Sequence, residues 1–97
     1  MPKVLFVINA SIVDQELLDQ YRAAAKPSMA KYGARMLAGG NDAEVIEGQP
    51  FGNRVVVVEF PSRDAFRQWY ADPEYAEPLA MRLKATNGIA LLIDGRE

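Results

Sequence analysis

The chain has 97 residues, a net charge of -2 and no histidine or cysteine. The lack of both residue types excludes Ser–His and Cys–His nucleophile pairs, His-ligated haem and ordinary zinc or copper sites. The acidic balance argues against a nucleic-acid partner, and the longest apolar run, residues 4–8, is far too short to cross a membrane. We therefore expect one cytoplasmic domain over residues 1–97, with no signal peptide and no carboxylate-rich loop for a metal.

The first third of the chain predicts a strand followed by a long helix. Residues 3–9 are apolar at both odd and even positions, which is typical of a strand covered on both faces. Asp14 can cap a helix that ends at Gly33. Pro27 lies inside this helix, and we expect it to kink or break the helix because proline lacks the backbone N–H.

The middle of the chain predicts two more strands. Residues 34–38 form the second strand, which ends at a glycine-rich turn over residues 39–42. Residues 43–47 are expected to extend that strand beyond a bend. Arg54–Phe60 is β-branched at four successive positions and apolar on both faces, so it is the clearest strand.

The last third predicts two helical segments and a final strand. Ser62 is the expected cap of the first segment, and Asp72 with Pro73 is the expected start of the second. Residues 87–88, Asn-Gly, are predicted to end the helix. Residues 89–94 form the predicted fourth strand.

The element order is β-α-β-β-α-β, which predicts an α+β ferredoxin-like fold with both helices on one face of an antiparallel sheet. In this plan the first and third strands are central, and these are the two strands that are apolar on both faces. One helical layer cannot cover both faces, so we expect a second copy to cover the other in a homodimer. The alternative is an exposed patch that binds another protein.

Three segments closely resemble the domain-of-unknown-function 1330 family: residues 30–35 (AKYGAR), 54–62 (RVVVVEFPS) and 69–75 (WYADPEY). That family is similar to the dimeric α-β barrel superfamily, which includes cofactor-free monooxygenases, muconolactone isomerase-like enzymes and stress-responsive proteins. The resemblance implies a dimeric barrel with a small pocket between sheet and helices, and no established reaction. Residues 49–52 depart from the family pattern, which more often has tryptophan there.

Glu59 is the most informative polar residue, because a carboxylate in a central strand must be paired or have a raised pKa. It is a candidate catalytic base or ligand anchor. The alternative is a structural salt bridge to Arg35, Arg54 or Arg82. Arg35 and Arg54 begin strands and are candidate carboxylate clamps, unless they are exposed or paired.

Five further side chains complete the predicted pocket. Tyr75 and Arg82 share one helical face and could bind a carbonyl group, or else only extend their polar tips past the core edge. Trp69 is a candidate stacking surface or core volume, and Tyr32 is expected in the core with its hydroxyl at the rim. Asn9 is a candidate oxyanion donor or a residue that turns the chain.

These features predict a dimer that binds a small organic molecule between sheet and helices, without a cofactor or metal. As an enzyme it would abstract a proton, as an isomerase or monooxygenase does, with Glu59 as base and the Arg and Tyr groups stabilising an enolate. The alternative is a non-enzymatic interaction or stress-response protein whose polar residues only support the dimer.

Overall fold

A computed structural model describes residues 2–96 as four strands and three helices. In chain order the elements are β1 Val4–Ile12, α1 Gln15–Lys31, β2 Arg35–Gly40, β3 Arg54–Phe60, α2 Arg63–Ala71, α3 Pro73–Ala85 and β4 Thr86–Asp94. The strands form one antiparallel sheet in the order β2-β3-β1-β4. The predicted ferredoxin-like α+β fold is confirmed, and β1 and β3 are the central strands.

The two faces of the sheet have different surroundings. The covered face packs against the helices and consists of alternate residues of the central strands: Val4, Phe6, Ile8, Ala10, Val56, Val58 and Phe60. The open face carries the residues between them and their cross-strand neighbours on β4: Leu5, Val7, Asn9, Val55, Val57, Glu59, Ile89, Leu91 and Ile93. Antiparallel pairs such as Val7 and Leu91 lie on the same side of a sheet, so this second set forms one surface.

The helices begin where the capping residues predict. The Asp14 carboxylate accepts a hydrogen bond from the Leu17 amide at 3.0 Å, and the Ser62 hydroxyl accepts one from the Ala65 amide at 3.1 Å. Pro27 does not break α1, contrary to one of the outcomes we expected. The carbonyl that loses its partner belongs to residue 23, which is exposed, so water can satisfy it.

The segment after β2 differs from its prediction. The two glycines expected in a turn belong to β2, where Gly39 pairs with Val56 and Gly40 with Val55. Residues 43–47 are not a strand. Gly40 already pairs with Val55, next to the start of β3 at Arg54, so an extension of β2 would have almost no β3 residues left to pair with. Residues 41–53 form a loop instead.

The start of β4 also differs. Asn87 and Gly88 were expected to end a helix, but α3 ends at Ala85 and both residues lie in β4. The cause is β1, which continues to Ile12 and pairs with the whole segment from Thr86 onward. Sheet pairing therefore overrides the local turn preference. No helix among residues 2–96 has the length and hydropathy to span a membrane.

Candidate functional site

A cavity of about 400 Å³ lies between the helices and the covered face, and we call it the interlayer cavity. Its walls are mostly apolar and include Phe6, Ile8, Leu18, Val56, Val58 and Trp69. The cavity opens to solvent past exposed lining residues such as Arg22 and Met36. Its volume falls within the range of about 300–1,000 Å³ that is typical of ligand pockets. The structure therefore has a cavity of this size between the sheet and the helices.

The charged groups that residues 2–96 contribute to the interlayer cavity are all basic. Arg22 and Lys26 come from α1, Arg54 from β3 and Arg82 from α3, and no acidic side chain within that range lines the cavity. The two α1 residues are exposed, whereas Arg54 and Arg82 are only 9% and 6% exposed. Two guanidinium groups are thus held inside an otherwise apolar space, in a protein whose net charge is negative.

Arg82 has an unsatisfied hydrogen-bond donor. Its Nε is buried and has no partner among residues 2–96. The guanidinium carbon lies 5.8 Å from the centre of the Phe6 ring, which stabilises the positive charge but accepts no conventional hydrogen bond. Arg82 also lines a smaller depression of about 110 Å³ next to β4.

Arg54 is paired with a neutral group. Its Nη1 donates to the Asn41 side-chain oxygen at 2.8 Å. Burial, followed by repulsion from Arg22, lowers the pKa of Arg54. A guanidinium remains charged at neutral pH even so. Within the described residues, no carboxylate oxygen lies within 4.0 Å of the nitrogens of Arg54 or Arg82.

Aromatic side chains form the wall behind the cavity. The Trp69 ring is 3.9 Å from the Tyr75 ring between centres, and the Trp69 indole N–H donates to the Ser28 hydroxyl at 3.1 Å. Tyr75 does not line the cavity, but its hydroxyl is 2.9 Å from that of Tyr21, which does. Burial, followed by the neighbouring Tyr21, raises the pKa of Tyr75, so its hydroxyl stays protonated.

Glu59 and Arg35 lie away from the interlayer cavity. Glu59 alternates with Val58 and so points to the open face, where Arg35 is its cross-strand neighbour on β2. Its ion-pair partner is Lys3, at 3.7 Å, rather than any of the three arginines considered from the sequence. Glu59 and Arg82 were expected in one pocket, but they lie on opposite sides of the sheet, so the structure does not bring them together.

Asn9 and Tyr32 are engaged in structural contacts. The Asn9 side-chain amide donates to the carbonyls of Gly52 and Arg54 at 3.0 and 3.1 Å, and its oxygen accepts from the Phe51 amide at 2.9 Å. A Cβ on Gly52 would clash with the Ala10 carbonyl oxygen, so this loop needs glycine there.

The Tyr32 hydroxyl donates to the Asp72 carboxylate, where α1 ends beside the junction of α2 and α3. Lys31 pairs with the same carboxylate at 3.0 Å. These bonds, the one from Tyr32 foremost, lower the pKa of Asp72 to about 2. The cluster joins the helices to one another and leaves Tyr32 outside the cavity lining.

Of the eight predicted site residues, the structure brings three into the interlayer cavity: Arg54, Trp69 and Arg82. Sequence reasoning missed Tyr21, Arg22 and Lys26 on α1. The signal available was their spacing, since positions 22 and 26 are four apart and share a helix face with Met29. Residues 2–96 contain no cluster of three or more His, Cys, Asp or Glu side chains that could hold a metal ion.

The comparison with protein families agrees with the sequence segments singled out above. The model of DUF1330, a domain of unknown function, matches residues 3–96. This chain belongs to the DUF1330 family. The resemblance noted from the sequence is thereby confirmed. A comparison with curated proteins gave no significant match.

Solved structures similar to this DUF1330 protein share its fold at low sequence identity. A protein of unknown function from Rhodopseudomonas palustris, RPA0582, has a TM-score of 0.79 and 18% identity, with 99% of this chain and 82% of that one covered. SnoaB, a cofactor-independent oxygenase from Streptomyces nogalater, has 0.71 and 15%, with 100% and 96% covered. A dimeric ferredoxin-like protein of unknown function from Thermobifida fusca has 0.66 and 16%, with 97% and 92% covered.

Proposed function

We propose that this DUF1330 protein is a homodimer in which each protomer binds one small, mostly apolar organic molecule in the interlayer cavity. The observation that carries the proposal is the cavity itself, about 400 Å³ beneath the helices of a 97-residue chain. A small domain has little apolar surface to bury, so leaving a space of this size unfilled sacrifices packing that it needs. Occupation by a ligand restores those contacts.

The open face supports the homodimer. Leu91 and Ile93 are 58% and 57% exposed there, next to the half-buried Leu5 and Val7 of the central strand. Burying an aliphatic side chain of this size is worth about 1.5–3 kcal/mol. A second copy packed by its own open face would cover these residues by twofold symmetry, and a fold neighbour from Thermobifida fusca is described as dimeric.

Binding is favoured over proton abstraction by the groups that line the cavity. Within the described part of the chain, its titratable side chains are one tyrosine and four basic residues, so none of the described carboxylates is available there as a base. Glu59, the base considered from the sequence, faces the other side of the sheet. A face-to-face partner would bring its own Glu59 to that same side and not to the cavity.

The experiment measures the melting temperature with a panel of small apolar molecules, neutral and anionic, on three proteins. Ala25 of α1 is buried and lines the cavity, whereas its neighbour Ala24 is exposed and does not. Ligands that bind the native state raise the melting temperature of the wild type and of Ala24→Leu. Ala25→Leu, which fills the cavity, should show no such rise.

Equal ligand-induced shifts in all three proteins would place binding elsewhere and overturn the proposal. Ala30→Phe, at an exposed lining position, is a second blocking variant in case leucine at position 25 disturbs packing. A panel that shifts none of the proteins would favour the alternative function, an interaction protein that acts through its open face.

A further inference from the structure

We infer that the molecule bound in the interlayer cavity is an organic acid whose carboxylate binds Arg82, with Arg54 supplying a second positive charge. This inference rests on the proposed function and adds to it the chemical class of the ligand. It begins from the unsatisfied Nε of Arg82, in a side chain that is only 6% exposed.

A buried guanidinium is retained at a cost unless an anion compensates it. Arg82 has the Phe6 ring and the neutral Tyr75 hydroxyl beside it, and Arg54 has a neutral amide oxygen. Neither arginine has a carboxylate partner in the part of the chain that the structure describes. The same cavity receives Arg22 and Lys26 at its exposed side. Four positive charges, and no negative charge from residues 2–96, are therefore gathered around an apolar space.

The shape of this environment specifies the two parts of the ligand. A guanidinium donates in a planar fork that matches a carboxylate, and such charged hydrogen bonds are stronger in a low-dielectric site. The remaining wall is built from aliphatic and aromatic side chains such as Ile8, Val56 and Trp69. The ligand that satisfies both is a carboxylate on an aromatic or aliphatic body, and not a small inorganic anion.

The test uses matched pairs that differ only in charge: 2-naphthoate against 2-naphthamide, and decanoate against decanamide, with acetate as an acid without an apolar body. Calorimetric titration of the wild type should give a dissociation constant about tenfold or more lower for the acid of at least one pair than for its amide. Acetate should bind far more weakly than that acid.

Two substitutions locate the carboxylate. Arg82→Met keeps the apolar stem, and it should remove the preference for acid over amide while leaving the amide affinity unchanged. Arg67→Met, at an exposed position of α2, should leave both affinities within about twofold. Arg82→Lys retains the charge without the fork, so it should recover part of the preference and keeps the test valid if methionine disturbs folding.

The melting temperature of the ligand-free protein separates binding from a purely structural role. Because Arg82 has an unpaired donor, Arg82→Met should leave that temperature unchanged or raise it. A marked fall with the acid preference intact would make Arg82 structural and overturn the inference. If the amides bind as tightly as the acids, the inference about the ligand's carboxylate is wrong but the proposed function stands. The same holds if neither member of either pair binds while other apolar probes do.

Discussion

The two faces of the same sheet carry similar side chains but meet different surroundings. Val56 and Val58 on the covered face are buried beneath helices, while Val55 and Val57 between them are only half-buried on the open face. The covered face provides the folded protomer with its core and its cavity. The open face leaves apolar surface that one chain alone does not cover. The residue composition of a strand therefore does not show what each face of the sheet does. The surroundings of each face show it.

The largest expected effect comes from truncating Trp69, which packs against the covered face. Trp69 is 1% exposed and contacts the Phe6, Phe60 and Tyr75 rings. Trp69→Ala should lower the free energy of unfolding by about 3–5 kcal/mol, measured by denaturant titration. Tyr70→Ala is the matched control, since this neighbouring aromatic side chain is 39% exposed.

The control should lose about 1 kcal/mol or less, as partly exposed positions usually do. If Trp69→Ala and Tyr70→Ala lower the free energy of unfolding by the same amount, packing against the covered face is not the source of protomer stability.

The next prediction tests whether the open face forms the dimer interface. Leu91→Asp places a charge on the open face and, in a twofold dimer, does so twice. We expect the dissociation constant of the dimer to rise by about 100-fold or more, measured by sedimentation equilibrium. Val13→Asp is the control, because Val13 is also an exposed aliphatic residue but lies between β1 and α1, off the sheet face.

A wild type that sediments as a 10.7 kDa monomer at micromolar concentration would remove the homodimer from the proposed function. A dimer that survives Leu91→Asp but dissociates with Val13→Asp would move the interface from the open face to the helix layer.

Sequence patterns were sufficient for the fold but less so for where its elements end. The alternation in β1 and β3, together with the capping residues Asp14 and Ser62, identified the strand order and the helix starts. The misplaced boundaries, at residues 39–47 and 86–88, were fixed by partners distant in the chain. Local turn chemistry cannot report whether a neighbouring strand continues long enough to pair.

The site was predicted less completely, for a reason that the two faces make plain. Alternation correctly grouped Glu59 with Val55 and Val57. It could not tell which face the helices cover, because both faces of β3 are apolar, and so it did not exclude Glu59 from the pocket. The basic pair Arg22 and Lys26 was visible only as helix spacing, and its relation to Arg54 depends on packing between α1 and the sheet.

A smaller effect is expected where Asn9, on the open face, contacts the loop over residues 41–53. Asn9→Ala removes two hydrogen bonds that hold this loop to β1, at Phe51 and Gly52, and a third to the Arg54 carbonyl at the start of β3. We expect a loss of about 1–3 kcal/mol in stability, together with faster amide exchange at Phe51. Ser11→Ala removes one exposed hydrogen bond to Asn87 and should change little. Unchanged exchange at Phe51 in Asn9→Ala would mean that the loop is held by other contacts.

The smallest effect is expected where α1 ends beside the junction of α2 and α3, in the helix layer and not on a face of the sheet. Tyr32→Phe removes the strongest of the hydrogen bonds that lower the pKa of Asp72 to about 2 from 3.8, so that pKa should rise toward its ordinary value. A carboxylate with a lowered pKa stabilises the fold fully above pH 4 and loses this contribution as the pH falls toward 2. In Tyr32→Phe the loss should be smaller and should be complete at a higher pH, because the pKa of Asp72 in the folded state moves closer to its unfolded value. Carboxyl NMR titration and melting curves from pH 5 to 2 measure both changes. Tyr70→Phe serves as the control. If both variants titrate like the wild type, the helices are held together by packing alone, and the polar cluster at Asp72 contributes nothing to covering the sheet.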